Sequence, residues 1–183
     1  MSGINTNSIS LAGEFAALSQ LALRGYDANM TLGRTKSVDI LVSNPQTGKM
    51  YQLEVKTNYR NTRNQLSESK VHGKTLSGWM MNKKHEAITL PHLFYCFVNI
   101  SKDTSVFKFY IVPSRVVAKY VKEQHAFWLE MKRREGKELK ILLCGFLGWG
   151  PKTRNTPYRH HLLNSTKTIG NLRRNKQVQG GGE

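Results

Sequence analysis

The sequence is poor in cysteine and has no long apolar run. Its 183 residues include two cysteines, Cys96 and Cys144, which lie far apart in apolar stretches and lack the spacing of a metal site. We therefore expect buried, reduced thiols. No apolar run approaches the roughly 20 residues needed to span a bilayer, and the first residues lack the order of a signal peptide. These absences predict a soluble cytoplasmic protein without a membrane partner.

Acidic residues are also scarce. The chain has 12 Asp and Glu against 28 Lys and Arg, which gives a formal net charge of +16. Such a surface favours a polyanionic partner, and nucleic acid is the first candidate because neutralised phosphates release counterions. A basic protein that serves the ribosome or a membrane surface would show the same balance, so the charge alone does not separate these classes.

Several enzyme signatures are missing. The Gly-rich pattern of a P-loop does not occur, which argues against an enzyme driven by nucleoside triphosphates, and no Ser-His-Asp set stands out. His160 and His161 with Asn164 are faintly similar to an HNH nuclease motif. The partner acid and the strand-turn-helix context are missing, however, so we interpret them as exposed histidines.

The length predicts one domain with its own core, and the composition divides the chain near residue 150. We assign residues 1–150 to the folded domain. Residues 151–183 contain seven Lys or Arg and the single acid Glu183, together with many Gly, Asn and Thr. Such a segment buries too little apolar surface to fold alone, so a basic and flexible tail is expected.

Hydrophobic periodicity predicts two helices and a set of strands. The first helix covers residues 8–24, with Ser8 or Ser10 as its cap and Gly25 as its stop. A second helix begins at Ser114 and runs into a basic patch at residues 132–134. The apolar positions of the first helix are Leu11, Phe15, Leu18 and Ala22. Strands are predicted at residues 26–32, 37–43, 50–57, 93–100, 106–112 and 139–146.

Charge occurs in two of these strands where apolar residues are expected. In residues 50–57 the alternation places Gln52, Glu54 and Lys56 on one face, and Asp39 interrupts the apolar run of residues 37–43. The stretch between them, residues 44–49, is rich in turn-forming residues and predicts a β-hairpin. If the pairing is centred between residues 46 and 47, Asp39 lies directly opposite Glu54.

Two acids on adjacent strands suit a hard divalent cation such as Mg²⁺, for which Mn²⁺ would substitute. Lys56 would then lie within reach of a nucleophilic water or a phosphate. The simpler interpretation is an exposed cross-strand salt bridge of under about 1 kcal/mol. Glu14, beside the apolar stripe of the first helix, is a third candidate ligand, or merely an acid favoured by the helix dipole.

Residues 58–84 show no clear apolar period, so we predict a substrate-facing loop with a short helix. Trp79 in this stretch is interpreted as a packing anchor, with base stacking as the alternative. The basic residues of this loop and of the turn at residues 33–36 are candidates for nucleic-acid binding. They are Arg34, Lys36, Arg60, Arg63, Lys70, Lys74, Lys83 and Lys84.

Four stretches together resemble the PD-(D/E)XK nuclease superfamily, which contains restriction endonucleases and Holliday junction resolvases. They are Gly13-Glu14, Gly25-Tyr26, residues 37–42 and residues 52–57, and the resemblance covers roughly residues 8–130. It implies an α/β fold with a mixed central β-sheet flanked by helices. Asp39 matches the first acid, Glu54 the second and Lys56 the motif lysine. Glu14 matches a helix glutamate that some branches add as a metal ligand, and Val38 replaces the proline that names the motif.

The resemblance implies an Mg²⁺-dependent DNA endonuclease of the restriction, repair or junction-resolving type. Its catalytic residues would be Asp39, Glu54, Lys56 and Glu14, and its metal ligands the three acids among them. The alternative is a non-catalytic nucleic-acid-binding module with the same fold, and RNA is a lesser variant of the substrate. A two-fold symmetric DNA substrate would call for a homodimer.

Overall fold

A computed structural model describes residues 4–32, 37–60, 67–69, 73–75, 77–102, 105–135 and 144–149, and side chains within four of these ranges, 4–32, 37–60, 78–102 and 105–135. The elements are α1 (Thr6–Ala22), β1 (Asp27–Met30), β2 (Ile40–Asn44), β3 (Lys49–Arg60), β4 (Ser67–Ser69), β5 (Gly73–Thr75), β6 (Ser77–Asn82), a 3₁₀ helix (Lys83–Ala87), β7 (Leu93–Ser101), β8 (Phe107–Pro113), α2 (Ser114–Arg134) and β9 (Cys144–Trp149).

Five strands form the main sheet, in the order β1-β2-β3-β7-β8. The pairs β1–β2, β2–β3 and β7–β8 are antiparallel, whereas β3 and β7 run parallel. The sheet is therefore mixed, and α1 and α2 flank it. The predicted α/β class with a mixed central sheet is confirmed.

The interior strand β7 supplies both faces of the core, because successive side chains of a strand point to opposite sides. Cys96 and Val98 pack with Ala17 of α1. Tyr95 and Phe97 pack on the other face with Val117 of α2. This two-sided burial explains the nearly continuous apolar run that predicted a central strand at residues 93–100.

The hairpin of β2 and β3 has the predicted register. Ile40 pairs with Leu53, so the pairing is centred between residues 46 and 47. The turn is closed by Asn44, whose Oδ1 accepts hydrogen bonds from the N–H groups of Gln46 and Thr47. Gly48, with φ of +65°, supplies the left-handed residue that such a turn needs.

Helix α1 differs from its prediction in its cap and in its buried face. Asn5 is the N-cap, not Ser8 or Ser10, and its side chain accepts a hydrogen bond from the Asn7 N–H. The helix buries Gly13 and Ala17, while Leu11 and Phe15 of the predicted stripe are exposed. The face with Gly13 and Ala17 is the buried one because Gly13, which has no side chain, permits the closest approach of the helix to the sheet.

A Cβ at Gly13 would overlap the side chain of Thr57 on β3. The helix backbone therefore packs directly on the strand, which a larger residue at this position would prevent. Helix α1 ends at Ala22 with Leu23 as its C-cap, two residues before the predicted end, and Gly25 closes the turn that follows, with φ of +77° and its N–H donating to the carbonyl of Ala22.

The prediction of a loop with a short helix at residues 58–84 was wrong for much of its length. Strand β3 continues to Arg60, and β4, β5 and β6 lie within the same stretch, followed by the 3₁₀ helix. Short polar strands without alternation leave little trace in a sequence. Trp79 is buried and its Nε1 donates to the Val98 carbonyl at 3.1 Å, which confirms the packing anchor.

The predicted helix start and the last strand also need correction. Pro113 is the N-cap of α2, and the Ser114 hydroxyl donates to the Leu90 carbonyl at 2.7 Å instead of capping the helix. The last strand is β9, which pairs with β6 in a separate two-stranded sheet and does not extend the main sheet.

The predicted tail at residues 151–183, including His160 and His161, lies outside the described residues. Within the described part of the chain, no helix is long and apolar enough to cross a membrane.

Candidate functional site

The candidate site begins where β2 starts. Asp39 immediately precedes β2, and its backbone N–H donates at 2.8 Å to the carbonyl of Leu53, the residue that pairs with Ile40. The Asp39 carboxylate turns onto β3, where Oδ2 accepts a hydrogen bond from the Val55 N–H at 2.6 Å. A side chain thus binds the strand backbone and holds one acid beside the middle of β3.

Glu54 is 3% exposed and has two donors on one oxygen. Lys56 Nζ lies 2.6 Å from Glu54 Oε1, and His85 Nε2 lies 3.4 Å from the same atom. Burial alone would raise the pKa of Glu54, but the His85 hydrogen bond and the Lys56 ammonium outweigh it and lower the pKa to about 2. The carboxylate is therefore ionised at neutral pH although it is buried.

The second oxygen of Glu54 has different surroundings. Oε2 is buried and has no hydrogen-bond partner among the described groups. The Tyr95 hydroxyl, on the neighbouring strand, is also buried. Burial raises the pKa of Tyr95, and so do the charge of Glu54 and a hydrogen-bonding interaction with its carboxylate, so the hydroxyl stays protonated.

Helix α1 brings Glu14 to the same region. The close approach of Gly13 to Thr57 sets this part of the helix against β3, and Glu14 is the next residue. Burial and then the negative charge of Asp39 raise the pKa of Glu14, while the Lys56 ammonium lowers it. Glu14 is thus close enough to sense both Asp39 and Lys56.

The acids in this region disfavour one another's charge. The pKa of Asp39 is raised, first by burial and also by Glu54, although the Val55 N–H and Lys56 oppose the rise. Two carboxylates with raised pKa values, next to a third that is ionised, form a region that a cation would stabilise. Of the four residues predicted for the catalytic site, Lys56 and Glu54 are in contact, while Asp39 and Glu14 lie within electrostatic reach of Lys56.

These residues fit Mg²⁺ in their chemistry. Mg²⁺ takes oxygen ligands and is commonly held by one or two carboxylates, with waters or substrate phosphate completing its coordination. Asp39 and Glu54 offer carboxylates from adjacent strands, and Glu54 Oε2 is a buried oxygen that a cation would satisfy. In the described part of the chain no group of three or more His, Cys, Asp or Glu is arranged to hold a metal ion. The fitting donor set is therefore a pair of acids with Glu14 nearby.

The predicted nucleic-acid-binding residues are only partly described. Arg60 is exposed at the end of β3, and Lys83 and Lys84 are exposed at the start of the 3₁₀ helix. Lys74 belongs to β5, of whose side chains nothing is described. The remaining members, Arg34, Lys36, Arg63 and Lys70, lie outside the described residues.

The sequence analysis missed His85. This residue is 2% exposed, and the 3₁₀ helix places it against Glu54. The next residue, Glu86, binds His125 of α2 with 2.7 Å between Oε1 and Nδ1. A histidine in the run Lys83-Lys84-His85-Glu86 looks solvent-exposed, so the sequence contains no periodic signal for its burial.

Comparisons with known proteins add a partial similarity to a solved structure. No protein-family model matches the sequence, and no curated protein matches it. Among solved structures, the chain is similar to the bacterial homing endonuclease I-Ssp6803I, with a TM-score of 0.39 and 16% sequence identity over 63% of this chain and 71% of that one.

Proposed function

We propose that this protein is a metal-dependent DNA endonuclease that hydrolyses phosphodiester bonds at Asp39, Glu54 and Lys56. One observation carries the proposal. The Glu54 carboxylate is buried and ionised, Lys56 and His85 bind its Oε1, and its charge is felt by Asp39. Buried charges are paired or coordinate metals, and a cation beside these acids would add to the compensation that Lys56 gives.

Asp39 and Glu54 would hold Mg²⁺, with Glu14 beside them. When bound, Mg²⁺ would supply Lewis acidity to the scissile phosphate and offset the charge that develops during attack. Asp39 is suited to this task because the Val55 N–H fixes one of its oxygens at 2.6 Å. The pKa values of Asp39 and Glu14 are raised, so both acids hold a proton more tightly than usual, and a bound cation would lower these pKa values and displace the protons.

Lys56 serves the reaction as a positive charge at the edge of the site. Its side chain is 29% exposed while that of Glu54 is 4% exposed, so the ammonium lies between the buried acid and solvent. A phosphate that approaches the acids meets this ammonium. Lys56 would then stabilise negative charge in the transition state and orient the attacking water.

The exposed basic residues around the site would bind the DNA backbone. Arg60 follows Lys56 on the same strand, and an even spacing places both on one face of β3. Lys83 and Lys84 precede His85, which contacts Glu54. Cations on two sides of the acid cluster would hold phosphates beside groups that alone would repel them.

The test is cleavage of supercoiled, linear and branched DNA with Mg²⁺, with Mn²⁺ and with EDTA. We expect metal-dependent cutting that Glu54→Gln and Lys56→Met reduce by about a hundredfold or more, since each removes a charge at the reacting phosphate. The matched controls are Glu130→Gln and Lys119→Met, which remove the same charges from exposed positions of α2. Cutting in EDTA, or cutting that survives both site substitutions, would show that the proposal is wrong.

The alternative function is a non-catalytic nucleic-acid-binding module. The net charge of +16 and the exposed basic residues support it equally well. It does not account for acids gathered beneath the basic residues, because those acids would weaken phosphate binding. DNA binding without cleavage under any metal condition would favour this alternative.

Salt dependence tests the binding step that both functions share. The logarithm of DNA affinity should fall linearly with the logarithm of salt concentration, by about 0.9 for each phosphate neutralised on duplex DNA. Changing Lys83 and Lys84 together to Gln should reduce that slope. A flat salt response would contradict binding through the phosphate backbone.

A further inference from the structure

His85 has two polar contacts on opposite sides of its ring. It is buried in the 3₁₀ helix, and its ring lies 5.9 Å from that of Tyr95. Its side chain takes part in the capping box of the 3₁₀ helix, in which the Asn82 backbone N–H donates to Nδ1. Its Nε2 faces Glu54 Oε1 at 3.4 Å, so the same ring links the start of this helix to the carboxylate.

The His85 ring is held on both of its nitrogen atoms. Nε2 lies 3.4 Å from Glu54 Oε1, and a carboxylate oxygen accepts hydrogen bonds. Nδ1 lies 3.2 Å from the backbone nitrogen and 3.0 Å from the carbonyl oxygen of Asn82. The backbone just before the 3₁₀ helix therefore fixes the ring orientation that directs Nε2 at Glu54.

Both donors to Glu54 bind the same oxygen. Lys56 and His85 contact Oε1, from different elements, and Oε2 receives no hydrogen bond. Two donors that converge on one oxygen restrict rotation of the carboxylate, whereas Lys56 alone, on a long flexible side chain, would restrict it less. The orientation of Oε2 is therefore set by His85.

The helix that carries His85 is itself anchored. Glu86 Oε1 lies 2.7 Å from Nδ1 of His125 on α2, and the His125 ring stacks on Trp128. This ion-pair geometry ties the 3₁₀ helix to the long helix behind it. The position of His85 is therefore fixed by α2 as well as by the chain segments on either side of the 3₁₀ helix.

From this geometry we propose that His85 is a positioning residue, which fixes the orientation in which the Glu54 carboxylate binds the divalent cation. The inference rests on the proposed nuclease function and deepens it. Removing a residue that contacts a metal ligand, but not the metal itself, typically weakens metal affinity by about 10- to 100-fold. His85 itself touches neither the cation nor the DNA in this arrangement.

A pair of substitutions separates the hydrogen bond from the space that the ring fills. In His85→Gln the side-chain NH₂ reaches the position of Nε2 and still donates to Glu54. In His85→Asn the shorter side chain reaches the position of Nδ1, so the donor to Glu54 is lost. His92→Asn, at an exposed histidine, is the control for the substitution itself.

Mn²⁺ binding to the full chain, measured by calorimetry, is the first readout, and DNA cleavage with kcat separated from KM for metal is the second. We expect His85→Asn to weaken Mn²⁺ binding at least tenfold and to raise KM for the metal, and His85→Gln to stay within about threefold of wild type. Equal losses in the two variants, or wild-type Mn²⁺ affinity in His85→Asn, would overturn the positioning role.

A third readout uses the wild-type protein, with Glu54→Gln as its control. The ¹⁵N resonance of His85 Nε2 should shift on Mg²⁺ addition with the midpoint of metal binding, and Glu54→Gln should abolish the shift. A resonance that ignores saturating Mg²⁺ would overturn the inference. If wild type binds Mn²⁺ and cuts DNA while His85→Asn behaves identically, only the positioning role fails; if wild type neither binds nor cuts, the nuclease proposal fails with it.

Discussion

Two ion pairs of this protein have the same composition and different surroundings. Lys56 binds Glu54 on β3, and Lys132 binds Glu135 at the end of α2 with 3.0 Å between Nζ and Oε2. The lysine side chains are almost equally exposed, at 29% and 27%, whereas the carboxylates are 4% and 30% exposed. The buried carboxylate must be compensated by its neighbours, while the exposed one is already solvated. The comparison shows that the acid, and not the lysine, marks the site.

The largest difference between the pairs should be seen in catalysis. Lys56→Met should slow single-turnover cleavage of supercoiled DNA by about 10²- to 10³-fold, because the substitution removes the positive charge that would lie beside the reacting phosphate. Lys132→Met, at a lysine of equal exposure, should change the rate by less than about twofold. Equal effects of the two substitutions would remove the distinction between the pairs.

The second-largest difference should be seen in how stability depends on pH, because Glu54 is buried and Glu135 is exposed. The pKa of Glu54 falls from 4.5 to about 2 on folding, so its contribution to stability is fully present above pH 4.5 and is lost as the pH falls through 2. Glu54→Gln should therefore reduce the free energy of unfolding by about 2 kcal/mol at pH 7, with a smaller difference at pH 3. Guanidinium titrations across this range measure the difference.

Glu135→Gln is the control for that experiment. It should change the free energy of unfolding by less than about 0.5 kcal/mol at every pH. A Glu54→Gln variant whose deficit is the same at pH 7 and pH 3 would show that packing and not charge accounts for its loss.

The approach of α1 to the site can be tested without changing any charge. Gly13→Ala should destabilise the protein by about 1–3 kcal/mol, because its Cβ overlaps the Thr57 side chain. Thr57→Ala should restore much of that loss in the double variant, since it removes the overlapping atoms. Urea unfolding of the four proteins measures the coupling, and additive losses would contradict the close contact.

The smallest effect should come from the second exposed pair of α2. Arg134 Nε lies 3.0 Å from Glu130 Oε1, one helical turn away, and both side chains are well exposed. Glu130→Gln should change the free energy of unfolding by less than about 0.5 kcal/mol and leave cleavage unchanged. Thermal unfolding measures this, and a larger loss would mean that exposed pairs of this protein contribute more than expected.

Local patterns predicted the elements that depend on neighbouring residues. The hairpin register followed from period-2 alternation and the turn at residues 44–49, and the structure pairs Ile40 with Leu53 as that register requires. Strand β7 followed from its apolar run, and the turn after α1 from Gly25. In each case the residues that decide the outcome lie within a few positions of one another.

Other features depend on distant parts of the chain and were missed or misplaced. The buried face of α1 is set by Gly13 against Thr57, 44 positions apart in the sequence, so the apolar stripe through Leu11 and Phe15 pointed to the wrong face. The partner of β9 is β6, which no local pattern indicates. The metal and the nucleic-acid interface remain predictions, and part of the basic set lies outside the described residues.

The sequence by itself determined that two acids and a lysine meet on one hairpin, because alternation and turn chemistry set a register that leaves little freedom. The tertiary structure decided what surrounds them. It placed His85 and Lys56 on the same oxygen of Glu54, and it brought Glu14 within electrostatic reach of Asp39. The physical reason is burial: a carboxylate becomes a strong constraint only when folding removes water, and which groups replace that water depends on contacts between distant segments.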